Sequence, residues 1–208
     1  MLPNVLGIAD YGAFVLAVWL FLMVPGPGNL AIIASTGHGG MRGGLAATLG
    51  IVLADQVLLW LAVAGVAALL AAHPGVFQAV QWLGAIYLAW LGIRMLLARP
   101  GGSKVLDIQP RQFAMQAFWI TLLNPKAIVF YMAFFPLFVQ PATHRGLTTF
   151  AAMAVTIAGL TLLYGAIAAW LTRALAGRMR RHPRWGQGLE KLAGVALVAF
   201  GIKLALGR

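Results

Sequence analysis

Two ionisable residues stand inside otherwise apolar runs of this chain: Asp55 in AATLGIVLADQVLLWLAVAG and Lys126 in FWITLLNPKAIVFYMAFF. In hydrocarbon a charged side chain costs roughly 3 kcal/mol or more unless it is paired, hydrated or neutralised, so each marks a candidate site. Asp55 is the only acid deep in an apolar run; Asp10, Asp107 and Glu190 lie at edges or in connections. A carboxyl there can load and release protons. It can equally serve as half of a fixed ion pair or as a protonated hydrogen-bonding group. The neighbouring Gln56 faces ~100° away round a helix. Lys126 can receive a substrate carboxylate, or neutralise Asp55 while the site is empty, and the two roles are compatible if the pair is broken and remade in a cycle.

The second chemical signal is in the backbone. Pro25-Gly26-Pro27-Gly28-Asn29 interrupts an apolar run from about Tyr11 to Ala34, and Asn124-Pro125-Lys126 interrupts another. Proline removes a backbone donor and clashes with the carbonyl four residues earlier, so a helix must open at both places. Opened backbone inside hydrocarbon is tolerated only where protein covers it or a polar cavity receives it. A half-helix starting after Pro27 or Pro125 aims unpaired N–H groups and partial positive charge at the gap, which suits an anionic group. Carbonyls freed before each break can hold a cation or an ammonium group. Asn29 and Asn124 both donate and accept, so each either holds substrate or re-satisfies freed backbone. The candidate substrate-binding set is therefore Pro25, Gly26, Pro27, Asn29, Asn124, Pro125 and Lys126, with Asp55 as the candidate proton-coupling residue.

These residues need elements that place them at membrane depth. Of 208 residues, 62% are hydrophobic and 9% charged, far from the roughly one-quarter charged residues of soluble domains. The reading is an all-α integral membrane protein, a single membrane domain over 1–208 with about six transmembrane helices. The spans are expected at Tyr11–Ala34, Leu45–Ala71, Val76–Leu97, Phe113–Val139, Gly146–Leu171 and Leu189–Leu206. A break opens the first and the fourth, so each stands at the head of a three-span half. Three is odd, so the second half (about 113–207) inserts inverted relative to the first (about 11–98). Matched interruptions in two such halves point to a mid-membrane site at the repeat interface.

The net charge of +11 is spent on topology rather than on nucleic acid. Arg42, the basic loop 99–112 and the basic loop 173–188 follow spans one, three and five. The positive-inside rule puts them in the cytoplasm and both termini outside. Loop 173–188 can also touch anionic lipid headgroups. The first ten residues carry no Lys or Arg, so they lack the basic region of a cleaved signal and the first span is expected to be retained.

Other constellations carry less. GHGGMRGG, from Gly37 to Gly44, lacks the Lys-Ser/Thr ending of a phosphate loop; its glycines suit close helix approach or a flexible loop. His38, His73, His144 and His182 fall in separate connections, and there is no cysteine, so no metal site and no cofactor is expected. Ser35, Ser103 and the scattered histidines supply no nucleophile–base pair, which argues against an enzyme. Trp82, Tyr87, Trp90, Trp119, Tyr131 and Tyr164 read as interfacial anchors and packing. The small residues are compatible with a homodimer.

Four stretches together resemble the LysE-type amino-acid exporters, a family that includes homoserine and threonine exporters. They are Pro25-Gly26-Pro27 with Asn29, GHGGMRGGLAATLGIVLAD ending at Asp55, GAIYLAWLGIRML from Gly84, and LLNPKAIVFYMAFFPLFV from Leu122. Leu137 departs from a glutamine that the family often has after the proline. The resemblance implies export of small amino acids across the bacterial inner membrane, driven by the proton-motive force. It does not identify the amino acid. On the residues alone, a passive channel or an ion (metal) exporter of related fold stays open as the alternative.

Overall fold

The computed structural model describes residues 7–8, 10–72, 112–139 and 146–179, with isolated positions 86, 90, 93, 97, 195 and 198. The described residues are helical: α1 (Tyr11–Met23), α2 (Pro27–Ala72), α3 (Phe113–Leu122), α4 (Pro125–Phe138) and α5 (Leu147–Met179). Expected spans three (Val76–Leu97) and six (Leu189–Leu206) lie outside the described residues apart from the isolated positions, as does most of the loop 99–112.

Asp10 starts α1 by accepting the amide of Ala13 on its carboxylate at 3.1 Å, the usual service of an N-cap aspartate. Val24 ends it in extended conformation (φ −64°, ψ 118°), because the ring of the following Pro25 disfavours helical backbone in the residue before it. Pro27 then opens α2, the position where a missing N–H costs nothing.

α2 is two arms. Gly40 has φ 59° and ψ −152°, a region open essentially to glycine alone. A side chain on Gly43 would strike the carbonyl of Ser35, and one on Gly44 would strike Thr36 and Ala169. In a straight helix, residues eight apart lie ~12 Å apart along the axis, so the chain doubles back at Gly40. The stretch 35–44, expected as a connection, is thus helix on both sides of a one-residue reversal. The fifth span is also longer than expected. α5 continues to Met179, so the segment 173–188, expected as a loop, begins as helix.

Among the described residues, two helices are long and apolar enough to cross a membrane: residues 27–65, which include the Gly40 reversal, and Leu147–Ala174. A third span forms if Phe113–Leu122 and Lys126–Phe134, bent by 61°, count as one. Apolar side chains such as Leu53, Leu61 and Val155 face outward, as a lipid solvent requires.

α1 and α4 run antiparallel. Ile8, before α1, bridges Val139, after α4, while the end of α1 meets the start of α4 at Val24 and Lys126. Phenylalanines fill the seam. Phe130, Phe134 and Phe138 recur every fourth residue on one face of α4, and Phe14 and Phe21 stand seven apart on α1. Phe21 stacks on Phe130 with centroids 3.5 Å apart, and Phe14 lies 5.5 Å from Phe134 and 5.4 Å from Phe138. The other side of the bundle is built from small residues, with Ala31, Ala47, Ala117 and Ala169 buried together. Gly50 lies under the backbone of Ala114 on α3, and Gly165 on α5 lies against Thr48. Glycine lets α2 and α3 touch backbone to backbone at Gly50, and lets the Thr48 side chain seat against α5 at Gly165.

The two kinds of glycine separate in a stability measurement. Gly50→Ala presses a methyl group into the Ala114 carbonyl, and overpacking of this kind costs about 1–3 kcal/mol. Thermal unfolding in detergent should fall by roughly 3–10 °C. Gly37, with open space around its Cβ position, should tolerate alanine or gain about 0.5–1 kcal/mol.

Candidate functional site

The two helix breaks face each other across a cavity of about 50 Å³. Ligand pockets are usually ~300–1,000 Å³, so admitting a solute requires the walls to part. Gly26 and Asn29 reach the cavity from the first break, Asn124 and Lys126 from the second, and Asp55 from the 41–72 arm. Five of the eight sequence-derived site residues therefore line one space. Pro25 and Pro27 do not line it; their side chains are exposed, and their part is to shape the break. Pro125 heads α4, where its missing amide is harmless.

At the first break the freed carbonyls are recaptured by side chains. Asn29 Nδ2 donates to Leu22 O and to Val24 O, both at 3.1 Å. Lys126 Nζ reaches across from α4 and donates to Val24 O at 2.7 Å. The ammonium lies 5.0 Å from the centre of the Phe21 ring, within cation–π range. Gly26 makes room for it, since a Cβ there would stand 3.1 Å from Nζ. Of the two sequence readings for Asn29, its amide nitrogen takes the structural one. At the second break Asn124 caps α4, its Oδ1 accepting Lys126 N at 3.1 Å.

Asp55 is buried on the 41–72 arm, about 21 Å along the helix from Met41. Its carboxylate accepts from Thr161 Oγ1 on α5 at 3.2 Å and is hydrogen-bonded to the hydroxyl of Tyr131 on α4. One acid thus ties three helices. Gln56, facing away, donates to Ala154 O on α5 at 3.2 Å. Tyr131 corrects the interfacial reading, because it is 2% exposed and serves the acid. Tyr164 also lines the cavity, with its ring set edge-on to Trp19.

Sequence reasoning missed Thr121, Thr161 and the aliphatic lining, Ile32 and Ile51. Hydroxyls are common in apolar helices, and only their partners reveal which ones matter. The cavity brings together a carboxyl, an ammonium, the hydroxyl-bearing residues Thr121, Thr161 and Tyr164, and aliphatic side chains, so groups of both charges stand in an apolar surround.

The sequence matches the LysE type translocator family over residues 19–208. The chain belongs to that family. As a LysE type translocator it is a membrane transporter and not an enzyme. It is 35% identical to an uncharacterized membrane protein of Pseudomonas aeruginosa over 96% of each chain. It is 35% identical to the leucine efflux protein of Enterobacter sp. and 32% identical to that of Klebsiella pneumoniae, again over 96% of each chain. No solved structure matches it.

Removing the Asn29 amide isolates its structural part. Asn29→Ala leaves the Leu22 carbonyl to find a new partner and Val24 O with Lys126 alone, at about 1–3 kcal/mol, whereas Asn124→Ala removes a cap worth ~1 kcal/mol. Thermal unfolding without solute should rank Asn29→Ala as the more damaging; equal stability with wild type would remove the capture role.

Proposed function

We propose that this LysE type translocator is a secondary active exporter of small amino acids or close derivatives across the bacterial inner membrane, coupled to protons through Asp55. Aliphatic amino acids are the first candidates, because leucine efflux proteins are among its relatives and Ile32 and Ile51 line the cavity. The observation that carries the reading is the meeting of two opened helices on one cavity that holds both an acid and a base. The substrate carboxylate meets Lys126 or a half-helix start, and its ammonium meets freed carbonyls or Asp55.

Protonation gives the cycle its return step. An ionised Asp55 only accepts, and both Thr161 and Tyr131 can donate to it; a protonated Asp55 is itself a donor, so those bonds must rearrange. The three helices joined at this point then lose one arrangement and gain another. A proton arriving from the periplasm would reset the emptied carrier in this way.

The architecture proposed around the site has six spans in two inverted repeats, about 11–98 and 113–207, with the first and fourth broken at mid-membrane. The antiparallel run of α1 and α4, with their breaks adjacent, supports it. Basic segments 99–112 and 173–188 lie in the cytoplasm, the termini in the periplasm, and a homodimer is compatible with the small-residue faces.

Efflux from cells lacking their own exporters and fed mixed dipeptides tests the reading. Cells making the wild-type protein should lose one or a few small aliphatic amino acids selectively, and proton uncouplers should stop this. Asp55→Asn should fall to near the empty-vector level. Wild-type export by Asp55→Asn with unchanged dependence on the pH gradient would sink the coupling role, and uncoupler-insensitive flux would indicate a channel.

A further inference from the structure

Four threonines in these helices share one resting place. Thr36, Thr48, Thr156 and Thr172 turn their hydroxyls back to the carbonyl four residues earlier, at 2.7, 2.9, 2.8 and 2.7 Å. This is the ordinary resting place of a threonine hydroxyl in an apolar helix. Thr161 breaks the pattern to reach Asp55. Thr121 breaks it for no visible partner. It is 4% exposed, and its Oγ1 has no hydrogen-bond partner among the described residues. Thr121 and Thr161 both line the cavity. A buried hydroxyl left unpaired is costly, and it invites a ligand.

What faces Thr121 indicates the ligand. A Cβ on Gly28 would lie 3.5 Å from Thr121 Oγ1, so the hydroxyl sits against backbone at the start of the 27–39 arm. The first turn of a helix presents amides without helical partners. Here the first bond into the arm is Leu30 N to Gly26 O at 3.0 Å, which leaves the amides of Gly28 and Asn29 ahead of it. Both residues line the cavity. Two N–H groups, the positive end of a helix and one hydroxyl make a seat for an anionic oxygen pair. The Lys126 ammonium is engaged across the break with Val24 O.

We propose that Thr121 is a substrate-binding residue whose hydroxyl, with the Gly28 and Asn29 amides, holds the carboxylate of the exported solute. The inference rests on the export reading above and deepens it. Gly28 is required because any side chain there fills the seat. Ile51 Cδ1 lies 3.7 Å from the same Cβ position, so an aliphatic side chain borders the seat.

The test uses the purified full-length protein in liposomes loaded with the twenty common amino acids, with exchange followed by mass spectrometry. Half-saturation for the best-moved amino acid is compared with that for its carboxamide. Thr121→Val keeps the shape and removes the hydroxyl. It should raise half-saturation for the amino acid roughly tenfold or more, the worth of a hydrogen bond to a charged group, and change that for the carboxamide much less. Thr121→Ser should restore the wild-type value, and Gly28→Ala should mimic Thr121→Val. Thermal stability of Thr121→Val without solute should equal or exceed wild type, since no internal bond is lost and a costly unpaired hydroxyl is removed. Wild-type half-saturation in Thr121→Val, or an equal rise for acid and amide, overturns the inference alone. No saturable exchange of any amino acid by the wild-type protein overturns the export reading and this inference with it.

Discussion

The rest of the structure depends on one requirement: backbone opened inside hydrocarbon must find its hydrogen bonds within the protein. Pro25 and Pro27 open the first helix, and the carbonyls of Leu22 and Val24 are left to find partners outside it. Asn29 folds back to collect both, and Lys126 crosses from another helix to share one of them. The cation that looks extravagant in an apolar run is thus placed by the same requirement that placed the prolines. The second break is handled more simply, by an asparagine cap and a proline at the first helical position. Because the first break is satisfied partly by Lys126 from the second, the two have to be adjacent, and the cavity follows from that adjacency.

Asp55 plays the corresponding part for the side chains. A buried carboxylate needs donors, and Thr161 and Tyr131 supply them from two different helices. The aromatic seam between α1 and α4 and the glycine crossings elsewhere divide the labour of packing. Large rings hold apart the helices that carry the breaks, while bare backbone draws the remaining helices into contact.

Much of this was legible from residue types, and what was legible shared a property. Pro25, Pro27, Asp55, Asn124, Pro125 and Lys126 are each exceptions to an apolar background, so each announces itself. The helical nature of the described chain and its membrane character followed from the background itself. The hydroxyl residues could not be read in the same way. Thr121 and Thr161 resemble any threonine that bonds to its own helix, and Tyr131 has the chemistry of an interfacial anchor; only three-dimensional neighbours tell them apart. The reversal at Gly40 was hidden among the five glycines of GHGGMRGG, the other four of which lie in helix. The helical start of the segment after Leu171 was hidden because basic residues signal a membrane boundary and say nothing about where a helix stops.

The hairpin at Gly40 has a mechanical meaning. Its two arms are stapled by backbone contact at Gly43 and side-chain contact at Gly44, with no compliant linker between them. One arm begins with the amides proposed to grip the solute, and the other carries the acid proposed to take the proton. The pair is therefore a lever with both loads on one rigid piece. A tilt set off at either end is felt at the other, so the two events share a single stroke and need no relay of intervening side chains to stay in step.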